Sequence, residues 1–260
     1  AQVMHNGLYL NNGDGSFSDI SWLSGVAASE WTWSTKFADI DLDGYVDLLI
    51  SNGMIGDLMD SDVLANINLP QFKNAPAYFK EYPKLNTPNT AFRNNGDLTF
   101  SEVSKDWGID DPTIAHGATL ADLDNDGDLD KVDNFMNEPL GVYHNNASNN
   151  RILIQLIGYR SNAFGIGARV AVTTSDGQVQ TRLMSTSGGY LSSHAPVIVF
   201  GFGQGESIQR IDIDWPSGHT QSFTLLNQKP LAVNQRYVIS EPDTAIKPPP
   251  ARRLAAQNTQ

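Results

Sequence analysis

Short runs of apolar residues bounded by turn-forming residues recur along the whole chain. In the first part they include Gly7–Leu10, Phe37–Ile40 and Val46–Ile50, and each run lies near Asn-Gly, Asp-Gly or Asn-Asn. Asn-Gly and Asp-Gly supply the positive φ values that tight hairpins require. Apolar runs this short, with such boundaries, are typical of β-strands. The pattern therefore predicts an all-β N-terminal part.

This part contains an internal repeat in one ungapped register. Asn11-Asn12-Gly13-Asp14 recurs as Asn94-Asn95-Gly96-Asp97, and an acidic cluster recurs at the same offset. The two clusters are Asp39, Asp41, Asp43, Gly44 and Asp47, and Asp122, Asp124, Asp126, Gly127 and Asp130. A third Asn-Asn pair begins at Asn145, and its distance from Asn94 is taken as the basic period. A period of about 50 residues with about four short strands fits a β-propeller blade, with independent β-hairpin modules as the alternative.

The first repeat unit, from Asn11 to Asn94, is longer than the basic period from Asn94 to Asn145. The excess falls at about residues 54–86, where the repeat signal fades. We expect a loop insertion on one face of the propeller, with a short helix around Val63–Asn66. The N-terminal domain is predicted to cover residues 1–148.

Each acidic cluster has the spacing of a cation-binding loop. Aspartate stands at positions 1, 3, 5 and 9, and glycine at position 6 permits a sharp bend. The backbone carbonyl of position 7, Tyr45 or Asp128, is a further predicted donor. Five or more hard oxygen donors favour calcium over zinc or copper, so the sequence predicts two calcium sites. A solvated acidic turn is the alternative.

Helical calcium-binding modules fit less well. An EF-hand loop needs a bidentate Glu at position 12, where this chain has Ile50 and Asp133. A dockerin-type loop accepts Asp133 but not Ile50, and its two loops would lie much closer together in sequence than the two acidic clusters do.

The strings FADIDLDGYVDLLISNG and LADLDNDGDLDKVDNF, each preceded by NNGD-x-x-F, resemble FG-GAP/VCBS-type repeats, which are also found in the propellers of integrin α-subunits. The resemblance implies a calcium-binding propeller. The metal ligands it implies are Asp39, Asp41, Asp43 and Asp47 in the first loop, and Asp122, Asp124, Asp126 and Asp130 in the second. Lys131 departs from the pattern, because similar repeats usually have an aliphatic residue there.

After residue 150 the pattern changes to longer strands. Seven are predicted, at Ile152–Ile157, Ala168–Thr173, Val179–Met184, Val197–Phe202, Ile208–Trp215, Gln221–Leu225 and Gln235–Ile239. Turn sequences separate them at Ser175–Gly177 and Pro216–Gly218. This density of strands predicts a C-terminal β-sandwich or small barrel over residues 149–241. Residues 242–260, which contain three consecutive prolines, are expected to be a linker or a disordered tail.

The C-terminal part resembles the ASPIC/UnbV domain of bacterial proteins and of animal cartilage acidic proteins. The resemblance is carried by NRILIQLIGYRSNAFGIGARV, STSGGYLSSHAPVIVFGFG and IDIDWPSGHTQSF. In that family a propeller precedes this domain, as here. His194 departs from the family pattern, where Gln or Asn is more usual.

The residues that invite a catalytic interpretation have simpler explanations. Alternation along a strand places Asp212 and Asp214 on a solvated face, with a packed Trp215 next to them. Tyr190, Ser192 and His194 lie in one loop without an evident third partner for a hydrolase triad. No catalytic residue and no cofactor besides calcium is predicted.

Charge and composition narrow the classes of partner. Residues 1–150 contain 7 Lys or Arg and 23 Asp or Glu, within a chain whose net charge is −12. An acidic surface repels phosphates, so we expect no nucleic acid partner. No apolar run approaches the roughly 20 residues that span a bilayer, so we expect no membrane insertion. The absence of cysteine excludes disulfides, and a first residue other than Met indicates a processed chain or a fragment.

These observations favour a secreted or surface-exposed binding module, with the bacterial periplasm as a further location. Its expected ligand is a protein or a glycan, and Trp31, Trp33 and Tyr45 are candidates for contact with it, although packing between blades is the favoured role for the three aromatics. A structural subunit of an extracellular assembly, or a polysaccharide lyase or hydrolase, is the alternative. Because propellers close with four or more blades, we expect further blades from the same chain or from another chain.

Overall fold

The computed structural model describes residues 5–57, 61–66, 84–205 and 207–243. These residues form an all-β structure with one six-residue helix, as the sequence predicts. The elements of the N-terminal part are β1 (Tyr9–Asn11), β2 (Phe17–Asp19), β3 (Thr32–Ala38), β4 (Asp47–Asn52), α1 (Ser61–Asn66), β5 (Thr87–Pro88), β6 (Thr90–Asn94), β7 (Phe100–Glu102), β8 (Pro112–Thr113), β9 (Ala115–Ala121), β10 (Asp130–Phe135) and β11 (Gly141–Tyr143).

Two antiparallel sheets and a hairpin form the blades. One sheet has the order β3-β4-β6-β7, and the next has the order β9-β10-β11. The β1-β2 hairpin precedes them as a separate two-stranded unit. A short β5-β8 pair joins the segment before β6 to the segment before β9. The predicted strand at Phe37–Ile40 is wrong at its end, because Asp39 and Ile40 already belong to the following loop.

The sheets stack face to face, as blades of a propeller do. Every residue of β4 is buried, so both faces of this strand are covered. Leu48 and Ile50 point to one face and pack with Val26 and Phe92. Leu49 points to the other face and packs with residues that include Leu120 of the next sheet. Alternate residues of β4 thus pack in two separate interfaces, one on each face of the strand.

Most of the insertion at about residues 54–86 lies outside the described residues. Helix α1 begins at Ser61 and ends at Asn66, and therefore includes the predicted helix around Val63–Asn66. A bridge between Met54 and Leu85 joins the two ends of the insertion.

The C-terminal part is a sandwich of two sheets. Its strands are β12 (Arg151–Ile157), β13 (Arg169–Thr174), β14 (Val179–Leu183), β15 (Ile198–Gly201), β16 (Ile208–Asp214), β17 (Thr220–Phe223), β18 (Leu225–Leu226), β19 (Lys229–Pro230) and β20 (Gln235–Ser240). One sheet has the order β15-β12-β20, in which β20 runs parallel to β12. The other has the antiparallel order β14-β13-β16-β17. The seven predicted strands are all present, with ends shifted by one or two residues.

A single apolar core lies between these sheets. Ile152 and Ile154 of β12 face Val170 and Val172 of β13 across the core. Ile211 and Ile213 of β16 belong to the same core, whereas Asp214 on the opposite face is exposed, as alternation predicts.

The outer face of the β15-β12-β20 sheet packs against the blades. Leu153 and Val199 alternate with the core residues and contact Leu42, which lies in the loop between β3 and β4. Leu42 is fully buried there although its φ is 60°. A left-handed backbone is unfavourable for leucine, so tertiary packing is required to hold this conformation.

Candidate metal centre

Two acidic loops occupy equivalent places in neighbouring sheets. The first connects β3 with β4, and the second connects β9 with β10. In each loop one carboxylate oxygen from each of the first, third and fifth residues lies within 4.8 Å of the other two. The clusters are Asp39, Asp41 and Asp43, and Asp122, Asp124 and Asp126. The regular spacing in sequence thus becomes convergence in space.

The same side chain to backbone hydrogen bonds fold both loops. In each, a backbone N–H donates to the carboxylate two residues earlier, which is a turn that aspartate favours. These bonds run from Asp43 to Asp41 (3.3 Å) and Tyr45 to Asp43 (2.8 Å), and from Asp126 to Asp124 (3.1 Å) and Asp128 to Asp126 (3.0 Å).

The sixth position of each loop requires glycine. Gly44 has a φ of 98° and Gly127 a φ of 102°. Only glycine adopts such values at little cost. A Cβ at Gly44 would also lie 3.0 Å from the side chain of Gln180, so this loop passes close to the sandwich.

Some loop oxygens are buried without a hydrogen-bond partner among the described residues. They are Oδ1 of Asp39, Asp122 and Asp128. Asp39 is only 3% exposed, and its Oδ2 accepts hydrogen bonds from the N–H of Gly44 (3.1 Å) and Gly201 (2.9 Å). A buried carboxylate oxygen without a partner is costly, and a bound cation would supply the partner. Because all the donors are hard oxygens, the set fits calcium.

The raised pKa values of several loop aspartates also favour a bound cation. Burial raises the pKa of Asp39 to about 7, and Arg182 offsets the effect only in part. Burial likewise raises the pKa of Asp47 to about 7. The pKa of Asp128 is raised to about 7 by burial and then by Asp126. Crowded carboxylates out of water either bind protons or are neutralised by a positive ion.

The aspartates at the ninth position of each loop accept hydrogen bonds from backbone N–H groups and so stabilise the loops. Asp47 is not part of the first cluster, and its two oxygens accept hydrogen bonds from the N–H of Ile40 and Asn94, both at 2.9 Å. Asp130 accepts from Leu123 and Asn145, also at 2.9 Å. Both oxygens of Asp47 and Oδ2 of Asp130 each accept one of these bonds and keep a second lone pair, whereas Asp130 Oδ1 also lies 3.1 Å from His144 Nδ1. Both residues therefore remain predicted ligands.

At the seventh position the two loops differ. Tyr45 has an exposed ring over Gly96, and only its carbonyl is a predicted donor. Asp128 is fully buried, and its Oδ2 accepts a hydrogen bond from the N–H of Ala147 at 3.1 Å. The spacing indicated only the Asp128 carbonyl, so its carboxylate is an additional candidate donor.

Sequence reasoning missed His144. Its Nδ1 lies 3.1 Å from Asp130 Oδ1 and 3.5 Å from Asp124 Oδ2, and these three residues form a further acidic and imidazole cluster. The hydrogen bond with Asp130 raises the pKa of His144. The only sequence signal is its position next to Asn145 in the third copy of the Asn-Asn pair.

The loop that contains Ser192 and His194 has a structural role. Ser192 Oγ accepts the N–H of Ala118 at 3.0 Å, and His194 Nδ1 accepts the N–H of Leu120 at 3.1 Å. Both bonds are made to the edge of β9 that no described strand covers. The loop thus caps an inner blade strand.

Trp33 packs where the sheets and the sandwich meet. Its ring centroid is 4.2 Å from that of His116 and 4.9 Å from that of Tyr190. Its Nε1 donates to the carbonyl of Gly53 at 2.6 Å. Trp31 is half-buried, and Tyr45 is the most exposed of the three aromatics singled out above.

The two parts of the chain match two different protein families. The family described as "FG-GAP-like repeat" matches residues 4–50 and 84–132, which include both acidic clusters. The family described as "ASPIC and UnbV" matches residues 158–246. Each FG-GAP match begins before a hairpin and ends in the strand after an acidic loop.

Similar proteins are found in animals. Cartilage acidic protein 1 of Homo sapiens is 25% identical over 94% of this chain and 42% of its own length. The protein of the same name from Xenopus tropicalis is 24% identical over 94% of this chain and 43% of its own length. The chain therefore spans about two fifths of the length of these relatives.

Proposed function

We propose that this chain, in which FG-GAP-like repeats precede an ASPIC/UnbV domain, is a calcium-binding extracellular module of the adhesion type. The observation that carries the proposal is Asp39, a buried aspartate whose Oδ1 has no hydrogen-bond partner in the described part of the chain. It belongs to a converging acidic loop that recurs in the next blade. Extracellular calcium is millimolar, so even weak sites are filled there.

In this proposal calcium has a structural role beneath a binding face. The cation neutralises each acidic loop and holds the neighbouring strand ends in place. The ligand is a protein or a glycan that contacts the loop side of the blades. Tyr45, which is 47% exposed and belongs to the first loop, is the aromatic residue best suited to such a contact.

We further propose that additional blade strands, from the same chain or another, cover the β1-β2 hairpin. In the register of the repeat Tyr9 corresponds to Phe92, and Tyr9 is 65% exposed whereas Phe92 is 5% exposed. Phe92 is buried because β4 and its partners cover β6. A further strand, placed beside β1 as β4 is placed beside β6, would bury Tyr9 in the same way.

The hairpin also contains an asparagine that lacks the contacts of its counterpart in the next sheet. Asn94 donates its N–H to Asp47 Oδ1 and its side-chain amide to the carbonyl of Val46. Asn11, the corresponding residue, makes neither contact within the described part of the chain. These features also favour the second candidate function, a structural subunit of an assembly. The mass of the protein from its natural source, measured by light scattering, tests whether further blade strands are present. We expect a particle larger than this chain alone, either because the chain is longer or because other chains are bound. A monomer of 28.4 kDa contradicts the proposal.

Thermal unfolding in the presence and absence of calcium tests the calcium proposal. At a calcium concentration a hundred times the dissociation constant, each site stabilises the fold by about 2.7 kcal/mol. For a chain of this size we expect EDTA to lower Tm by on the order of 5–10 °C per site. Added calcium should restore the transition and an equal concentration of potassium should not. A Tm that is the same with EDTA and with calcium contradicts the proposal.

A further inference from the structure

The two acidic loops differ in how they contact the C-terminal sandwich. In the first loop Asp39 Oδ2 accepts a hydrogen bond from the backbone N–H of Gly201, at the end of β15. The bond joins residues 162 positions apart and is buried. A group of the sandwich therefore helps to position a carboxylate of the acidic cluster itself.

Further contacts fix the backbone of the first loop against the sandwich. Gly203 N–H donates to the carbonyl of Leu42 at 2.9 Å, and Arg182 Nη2 donates to the carbonyl of Gly44 at 3.2 Å. Asn149, just before β12, donates to the carbonyl of Asp41 at 2.8 Å. Three residues of the same loop are thus held by the domain that follows the blades.

The close approach at Gly201 leaves no room for a side chain. A Cβ there would lie 2.4 Å from Leu42 Cα and 2.5 Å from Asp39 Oδ2. Gly201 has no positive φ, so its backbone conformation is open to alanine. The glycine at this position is therefore required by the contact and not by a turn.

The second loop lacks an equivalent contact in the part of the chain that the structure describes. Its polar links to the sandwich are Arg151, which donates to the carbonyl of Asp126, and Arg236, 3.5 Å from the side chain of Asn125. Leu129 of this loop adds an apolar contact with the cluster that contains Leu153 and Val199. Within the described residues, neither arginine donates to a carboxylate oxygen of the Asp122, Asp124 and Asp126 cluster. Asp122 is also more exposed than Asp39.

We propose that the sandwich completes the first acidic loop through Gly201, so that cation binding to this loop and docking of the sandwich strengthen one another, while the second loop binds its cation independently of β15. The inference rests on the proposed calcium function and goes beyond it. Coupling of this kind is reciprocal: a docked sandwich holds Asp39 in its binding position, and a bound cation holds the surface on which the sandwich docks.

Calcium titration of variants that each keep one loop tests the coupling. Asp124→Asn with Asp126→Asn leaves the first loop, and Asp41→Asn with Asp43→Asn leaves the second. Added to the first background, Gly201→Ala should weaken calcium binding at least tenfold. Added to the second, it should change the affinity by less than twofold. An equal effect in both backgrounds, or none in the first, contradicts the coupling.

Hydrogen exchange on the unmodified chain gives a second test that does not depend on the folding of Gly201→Ala. We expect calcium to slow exchange of the Gly201 and Gly203 amides at least tenfold. The effect should persist in Asp124→Asn/Asp126→Asn and disappear in Asp41→Asn/Asp43→Asn. If the unmodified chain binds no calcium, the proposed function itself is contradicted. If it binds calcium at both loops and these amides exchange at unchanged rates, only the coupling is contradicted.

Discussion

Several charged side chains are buried in the blades, among them Lys36, Lys131 and Asp133. Lys131 occupies a position that is usually aliphatic in similar repeats, and it is 4% exposed. Its Nζ forms an ion pair with Asp133, which is fully buried and also accepts hydrogen bonds from Ser51 and Asn89. Lys36 on β3 is buried as well and donates to the carbonyl of Gly188. The departure at Lys131 is therefore compensated by a polar network between the two blades.

Removing one member of the buried pair should be strongly destabilising. Asp133→Asn leaves the Lys131 ammonium buried without a counter-ion, and we expect a loss of about 3–5 kcal/mol in the free energy of unfolding. The matched control is Asp214→Asn, which breaks the exposed pair with Arg169 and should cost less than about 1 kcal/mol. Urea denaturation with calcium present measures both. Equal costs for the two variants would show that the buried pair has no special role.

Glu241 holds the end of β20 to a distant loop. Its Oε2 accepts hydrogen bonds from the consecutive backbone N–H groups of Tyr159, Arg160 and Ser161, at 2.7–2.8 Å. Burial favours a higher pKa, but the hydrogen bonds from Ser217 and from these N–H groups outweigh it and lower the pKa of Glu241 to about 2. The carboxylate therefore stays ionised in the folded chain well below the ordinary pKa of glutamate.

The lowered pKa gives a defined pH dependence. Because the pKa is lower in the folded state, Glu241 stabilises the fold fully above about pH 4.5, and this contribution is lost as the pH falls toward about 2. Glu241→Gln should cost about 3 kcal/mol at pH 7, since it leaves several partly buried donors with a weaker, uncharged acceptor. The difference between the two proteins in unfolding free energy should shrink between pH 4.5 and 2. A difference that is constant over this range would exclude an ionised Glu241 as its origin.

At the scale of elements, the repeat unit in sequence does not coincide with a sheet. The Asn-Asn-Gly-Asp segment at Asn11 forms the turn of the β1-β2 hairpin, whereas the acidic loop that follows lies in the next sheet, between β3 and β4. The same relation holds for the segment at Asn94 and the loop between β9 and β10. Each repeat therefore contributes its hairpin to one sheet and its acidic loop to the next sheet.

The free edge of β9 is closed by side chains of the C-terminal part. Ser192→Ala removes the acceptor of the Ala118 N–H, and one lost hydrogen bond is worth about 1 kcal/mol. We expect faster exchange of the Ala118 amide, by roughly five- to tenfold, with no change in amides that lie between β9 and β10. Ser101→Ala on β7, whose hydroxyl bonds the nearby Asn95, is the control. An unchanged Ala118 exchange rate would show that the loop does not protect this edge.

The sequence predicted features that depend on neighbouring residues. Strand positions, the sixth-position glycines and the convergence of Asp39, Asp41 and Asp43 follow from local periodicity and turn chemistry. The contact of Gly201 with Asp39, the Lys131–Asp133 network and the anchoring of Glu241 were not predicted. The first and third join residues at least 80 positions apart, and the network depends on the stacking of two blades. Such contacts depend on tertiary packing, and one sequence carries no pattern that specifies them.

At the scale of the whole molecule, the acidic and the less acidic parts of the chain meet at the first loop. Leu42 is fully buried between Leu153 and Val199, so the loop is part of an apolar interface as well as a candidate metal site. No helix in the described residues is long and apolar enough to cross a membrane. In this account calcium stabilises the blades and, through Asp39, the position of the C-terminal sandwich.

The most direct test of the central claim is the calcium content of the purified protein. Elemental analysis after equilibration with calcium and removal of free ions should find two calcium ions per chain. The count should fall to one in Asp41→Asn/Asp43→Asn and also in Asp124→Asn/Asp126→Asn. A calcium-free protein, or a count that both double variants leave unchanged, would contradict the account.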